Sequence, residues 1–319
     1  MHTDFSIHTS PHPAALMQVT NLSTFFFTPQ GIIKAVRDLS LTLYPSQTTA
    51  LVGESGCGKS ITALSILGLV PEPGRIVDGQ VLFEQRDLTL LNQDQLRRIR
   101  GNQIAMVFQD PMTALNPVFS IGAQIEEVLL LHRGLNRKEA RAKAAELLHQ
   151  VGIPNPSERL DSFPHQLSGG MRQRAMIAMA LACDPQILIA DEPTTALDVT
   201  IQAQIMHLLR TQQQQRNMGV LLISHDLGIV AQHADHIALM YAGMVVEQGD
   251  TYSIFEQPQH PYTRHLLSCV QGGQDAGEAT PVPHTPALWA ERYRPRTSGI
   301  PPMQVFNKHH SVRSWEVPA

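Results

Sequence analysis

The sequence predicts an α/β fold, a mostly parallel sheet with helices on its faces and a helical insertion. Three observations lead there. Short apolar runs alternate with helical stretches. A glycine-rich turn, residues 53–60, separates a strand-like run from an apolar helical one. The apolar run Ile187-Leu188-Ile189-Ala190 ends in two acids, Asp191 and Glu192.

The elements follow in order. Residues 1–16 are rich in His, Pro, Ser and Thr without periodicity and read as a disordered tail. Met17 opens strand-like sequence and is a candidate start residue. Within residues 19–43, two β-rich runs flank the turn signal Pro29-Gln30-Gly31. Residues 49–52 read as a short buried strand and 60–67 as an apolar helix, which Pro71, Pro73 and Gly74 end. Further strands are expected at 80–83 and 104–108. In the middle, Ala140, Ala144, Leu147, Leu148 and Val151 share one helical face, and 172–182 is a second helix. Strands return at 187–190, 220–224 and 236–241, with a helix near 201–210 whose exposed end is the polar run 212–215. After about Pro261 the pattern fades, and 271–319 read as a loose tail.

Composition narrows the function. The 319 residues are 43% hydrophobic, enough for a real core, and the net charge of −4 carries no basic footprint for nucleic acid. No secretory leader is visible, and no apolar run reaches the roughly 18–20 residues of a membrane helix. Cys57, Cys183 and Cys269 are odd in number and widely spaced, which suggests neither a disulfide framework nor a zinc site and fits a reducing cytoplasm.

Gly53-Glu54-Ser55-Gly56-Cys57-Gly58-Lys59-Ser60 has the spacing of a phosphate-binding loop. Glycines let successive backbone N–H groups point at phosphate oxygens, and the helix that starts here adds its positive end. Lys59 supplies a point charge to the β- and γ-phosphates, and the Ser60 hydroxyl suits Mg²⁺. Cys57 has two readings: a tolerated small residue, or a redox-sensitive thiol activated by the helix start, whose alkylation would inhibit ATP hydrolysis. Asp191 and Glu192 end a buried strand at the edge where open α/β sheets bind ligands. There Asp191 can hold Mg²⁺, and Glu192 can orient and polarise an attacking water.

Further motifs resemble those of ATP-binding-cassette ATPases over residues 18–268. Leu167-Ser168-Gly169-Gly170-Met171 resembles the signature, with Met where most members have Gln. Gln109 looks like the Q-loop glutamine, Leu197-Asp198 like the D-loop, and His225 like the switch histidine. Phe26 sits where the family has an aromatic that stacks on adenine, with Phe25 and Phe27 as rivals; alternation of faces should put at least one of these rings in the core. The resemblance implies a P-loop NTPase (RecA-like) core with an antiparallel β subdomain and an inserted α-helical subdomain. It also implies a head-to-tail dimer, because Ser168, Gly169 and Gly170 would serve the γ-phosphate of a partner. Gln109 would ligand Mg²⁺ or water, and His225 would contact the γ-phosphate and hold Glu192.

Phe163-Pro164-His165-Gln166, Met171-Arg172-Gln173-Arg174 and His260-Pro261-Tyr262-Thr263 look like the oligopeptide and dipeptide importer ATPases, a group that also serves nickel. That resemblance implies a second ATPase, two membrane permease subunits, a solute-binding protein and a place at the cytoplasmic face of the inner membrane. Another solute of the same group and a soluble cassette ATPase uncoupled from transport are the alternatives. The chain departs from the group in its last part. Members often carry a Cys-rich segment able to hold an iron–sulfur cluster, whereas no cysteine follows Cys269. The expected organisation is a tail at 1–17, the ATPase domain at 18–268 and a divergent tail at 269–319.

Overall fold

A computed structural model of the protein describes residues 14–195, 197–270, 300, 302–307 and 310–313. Strands β1 (Met17–Thr28) and β2 (Gly31–Leu43) form an antiparallel hairpin across the expected turn. Met17, at the border of the expected tail, is already a core residue paired with Leu43; residues 1–13 of that tail lie outside the described residues. Strand β3 (Thr48–Val52) is buried throughout and feeds helix α1 (Lys59–Ile66). Strand β4 (Gly74–Phe83) runs farther than residues 80–83 because its first half pairs with β1, and β5 (Arg86–Asp87) closes that sheet.

Helix α2 (Gln93–Ile99) is fixed at its start by the reciprocal hydrogen bonds of Asn92 and Gln95. Strand β6 (Ile104–Val107) then leads through α3 (Pro111–Ala114) into the helical lobe. Helix α4 (Ile121–Arg133) starts on the Ser120 side chain and stops at Gly134, where φ is 64°. Helix α5 (Arg137–Gln150) has a capping box from Asn136 and Glu139. After α6 (Pro156–Arg159), helix α7 (Gly169–Ala180) packs with α4 and α5 around Ile121, Ile125, Leu129, Ala140, Ala144 and Leu148.

Strand β7 (Ile187–Asp191), α8 (Val199–Arg216), β8 (Gly219–Ser224), α9 (Leu227–His233) and β9 (His236–Tyr241) restore the alternation, and β10 (Met244–Asp250) turns back on β9. Two findings differ from expectation here. Helix α8 is longer than 201–210, and only the second half of the glutamine run, Gln214 and Gln215, is exposed. Gln212 and Gln213 are 5% and 2% exposed, and Gln213 Nε2 donates to Thr48 Oγ1 at 3.0 Å. Polar side chains can be buried when each donor finds an acceptor.

After α10 (Thr251–Glu256), the chain forms α11 (Pro261–Val270), where the sequence pattern had faded. Pro261 opens this helix, at a position where its missing N–H costs nothing. The expected loose tail is corrected at residues 303–307 and 310–313, while 271–299 and 314–319 of it lie outside the described residues. Strands β11 (Met303–Asn307) and β12 (His310–Arg313) form a hairpin that joins the main sheet through β10. It is held by polar groups, which hydrophobic patterning does not reveal. His310 Nε2 meets Glu247 Oε1 at 2.6 Å with both side chains fully buried. Arg313 donates to the Val245 carbonyl at 3.0 Å and to Asp38 Oδ2 at 3.1 Å.

The sheets are thus a four-stranded antiparallel one, β2-β1-β4-β5, and an eight-stranded one, β11-β12-β10-β9-β3-β8-β7-β6, among the described residues. Strands β9, β3, β8, β7 and β6 are parallel. Helix α1 lies between the sheets, burying Ala63 and Ile66 in a core shared by Leu22, Leu39, Leu51 and Ile189. The parallel strands bring the residues that follow them to one edge.

Candidate active site

At that edge the chain leaves β3 and turns through residues 53–58 into α1. Two glycines are steric necessities. A Cβ on Gly53 would lie 2.2 Å from the Met240 carbonyl oxygen, and one on Gly58, where φ is 111°, would lie 2.2 Å from that of Ala35. Lys59 is 5% exposed and folds back over the loop. Its Nζ donates to the carbonyls of Gly53 at 2.7 Å and Glu54 at 2.9 Å. Of three ammonium donors, one remains for a phosphate oxygen.

Cys57 is buried, and burial pushes its thiol up, outweighing the lowering by Lys59 and the backbone. The redox-sensitive reading is therefore corrected, since a protonated, enclosed thiol is a poor nucleophile. Cys269 is exposed. In the native protein a thiol reagent should modify Cys269 at least tenfold faster than Cys57, read by mass spectrometry of the labelled peptides. Equal rates would contradict the burial.

Strand β7 delivers Asp191, which is buried beside the Ser60 hydroxyl. Its Oδ1 is buried with no hydrogen-bond partner among the described residues. Burial raises the Asp191 carboxyl above the usual range, against the Ser60 hydrogen bond and the Lys59 charge. An orphaned carboxylate oxygen beside a hydroxyl fits a Mg²⁺ ion, which takes oxygen ligands and keeps waters and phosphates for the rest of its shell.

Glu192 follows at a left-handed φ of 47°, strained for a residue with a side chain. Its backbone N–H donates to the Ile223 carbonyl at 2.9 Å, which fixes the turn. Both carboxylate oxygens are engaged. Oε2 accepts from Gln109 Nε2 and Thr195 Oγ1, each at 2.9 Å, and Oε1 faces His225 Nδ1 at 3.1 Å. Burial alone would raise Glu192, but the His225 and Thr195 hydrogen bonds, with the charges of His225 and Lys59, bring it below the usual range. It is a fixed anion, suited to orienting a water rather than to holding a proton. Gln109 commits its amide nitrogen to Glu192 and keeps its carbonyl oxygen for a cation or water.

A cavity of about 450 Å³ opens between these groups, with Gly53, Glu54, Ser55, Gln109, Glu192 and His225 in its wall. Thr195, Leu227 and Leu266 also line it, and sequence reading had given them no role. Thr195 had a visible signal, lying one helical turn after Glu192; Leu266 had none. Other expected site residues do not line this cavity. Ser168 is exposed and caps α7, accepting from the Met171 N–H at 3.3 Å. Gly170 packs on α8, where a Cβ would lie 3.0 Å from Ile201. Phe25, Phe26 and Phe27 are all half-buried, so the expectation of a core ring is corrected. Lys34 lies over Phe25 at 5.6 Å and Arg75 over Phe27 at 4.3 Å, while Phe26 crosses the face of Gly74. A polar crevice of about 460 Å³, with Gln18, Thr20, Ser40, Thr42, Tyr44 and His236 in its wall, holds none of the expected residues.

Residues 36–195 match the sequence profile of the family described as ABC transporter, and residues 246–287 match that of the oligopeptide/dipeptide transporter C-terminal region. The chain is 53% identical to the dipeptide transport ATP-binding protein DppD of Bacillus subtilis over 273 residues, covering 85% of this chain and 82% of that protein. It is 45% identical to the oligopeptide transport ATP-binding protein OppD of the same organism over 316 residues, covering 94% and 88%. The dipeptide transport ATP-binding protein DppD of Escherichia coli is 51% identical over 253 residues, covering 79% and 77%. Among solved structures, the ATP-binding cassette MJ0796, a dimer in a post-hydrolysis state bound to ADP and Pi, superposes with a TM-score of 0.67 at 28% identity, covering 74% of this chain and 98% of that one.

Proposed function

The chain belongs to the ABC transporter ATPase family, and from that premise we propose that it binds and hydrolyses ATP in an import complex for di- and oligopeptides. The observation that carries the reaction is the meeting of Glu192 with His225, Gln109 and Thr195 beside the phosphate loop. The match at 246–287 and the relatives' names support peptides as the cargo.

In this reading the loop N–H groups and Lys59 hold the β- and γ-phosphates. Ser60, Asp191 and Gln109 would hold Mg²⁺, which would supply positive charge to offset that developing on the phosphates. Glu192 orients the attacking water, and His225 keeps Glu192 in place and reaches toward the γ-phosphate. Phe26 stacks on adenine. Ser168, Gly169 and Gly170, away from the cavity of their own chain, serve the site of a second cassette, and the domain that does this work spans 18–268.

No helix among the described residues is long and apolar enough to cross a membrane. The contact with two permease subunits, at the cytoplasmic face of the inner membrane, is assigned to the surface around Gln109, where Phe108, Met112, Val118 and Phe119 are exposed. A solute-binding protein completes the importer. The test is uptake of a labelled dipeptide by vesicles carrying the assembled complex. ATP-dependent uptake that disappears when this chain is omitted is the expected result. Uptake of nickel in place of dipeptides, or ATP hydrolysis indifferent to the membrane subunits, would overturn the assignment.

A further inference from the structure

We infer that Tyr262 is a positioning residue for the phosphate loop, holding the Glu54 backbone where β3 turns into the cradle. The inference rests on the reading that this loop binds the phosphates of ATP. Tyr262 lies in the first turn of α11 and is fully buried. Its hydroxyl oxygen accepts the Glu54 backbone N–H at 3.2 Å. The Glu54 carbonyl, in turn, accepts from Lys59 Nζ at 2.9 Å. The residue is therefore gripped on both sides, by Tyr262 through its N–H and by Lys59 through its C=O. The preceding Gly53 runs close to β9, where an added Cβ would lie 2.2 Å from the Met240 carbonyl oxygen. Removing the Tyr262 hydroxyl frees the Glu54 peptide to rotate, and the lysine that aims at phosphate moves with it.

Tyr262 is itself rigidly held. Its ring meets Tyr241 of β9 at 4.7 Å. Its N–H donates to His260 Nδ1 at 3.1 Å. Burial holds His260 down at about 4, so the ring is neutral and Nδ1 accepts. Burial also pushes the Tyr262 phenol up, so the group meeting Glu54 is a neutral hydroxyl. The His260 and Gln259 N–H groups donate to the Glu247 carboxylate at 2.9 and 2.7 Å, and that carboxylate also meets His310 of the C-terminal hairpin. A hydrogen-bonded path thus runs from the hairpin through Glu247, His260 and Tyr262 to the loop. Helix α11 reaches the site a second time through Leu266 in the cavity wall.

The experiment compares Tyr262→Phe with the unaltered chain in the assembled complex. The ring is kept, so packing on Tyr241 survives. The KM for ATP should rise roughly fivefold, the scale of one neutral hydrogen bond, with kcat within about twofold. An unchanged KM with a lowered Tm would make Tyr262 merely structural and overturn the inference. Lys59→Ala separates the premise. If it still binds a fluorescent ATP analogue normally, the phosphate-loop reading falls, and the inference with it. If binding is lost while Tyr262→Phe keeps its KM, the inference alone falls. Hydrogen exchange in the unaltered protein gives an independent check: the Glu54 amide should exchange at least tenfold more slowly than that of Ser55, and equal rates would overturn the inference.

Discussion

Replacing Glu192 by Gln should lower ATP turnover of the assembled complex by roughly two to three orders of magnitude while leaving ATP affinity within about threefold. The substitution keeps the shape of the side chain and removes its charge. Burial alone would raise the Glu192 carboxyl, but the hydrogen bonds from His225 and Thr195 and the Lys59 charge hold it below the usual carboxylate range. A glutamine cannot accept at both former oxygens, so one of the partners Gln109, Thr195 and His225 is left facing an amide N–H. The water that a carboxylate would orient loses its strongest acceptor. Phosphate binding depends on the loop and Lys59, neither of which the change touches. The measurements are steady-state phosphate release and equilibrium nucleotide binding on the same preparation. Turnover within threefold of the unaltered protein would remove Glu192 from the reaction.

Asp191→Asn should have an effect of similar size but a different signature. At saturating ATP, turnover should fall about a hundredfold, and the Mg²⁺ concentration for half-maximal activity should rise at least tenfold. Asp191 offers a buried oxygen beside the Ser60 hydroxyl with no hydrogen-bond partner among the described residues. Burial already raises this carboxyl, so its charge is unfavourable until a cation arrives. A consequence separates a metal ligand from a structural acid. Without Mg²⁺, the Asn variant should melt no lower than the unaltered protein, and added Mg²⁺ with ATP should raise the Tm of the unaltered protein more. A variant destabilised in both conditions, with an unchanged Mg²⁺ requirement, would contradict the assignment.

Local features of the site were legible in the sequence. The passage from β3 through the glycines into α1, and the apolar strand ending in Asp191 and Glu192, each occupy a few consecutive residues, and spacing alone carries them. The convergence of Gln109 and His225 on Glu192 was not legible from spacing, because those side chains come from separate segments that only the parallel sheet brings together. Leu266 was hidden because the periodic pattern fades after about Pro261, although a helix opens there, and Tyr262 stood out only as part of a family-like motif with no role of its own. Gln213, Glu247, His310 and Arg313 were hidden for another reason. They are buried polar groups satisfied by distant partners, and a pattern that counts apolar residues assigns them to the surface.

The bond between Arg313 and Asp38 joins residues 275 apart in the chain. At a synthesis rate of about 5–20 residues per second, β2 exists for roughly 14–55 s before its arginine has been made. Among the described residues Arg313 is the side-chain partner of the Asp38 carboxylate, and Glu247 meets His310 after a shorter delay, 63 residues later. The amino-terminal strands are thus made early and clasped late, so a chain halted on the ribosome before Arg313 carries the phosphate loop without the final clasp on the sheets that hold it.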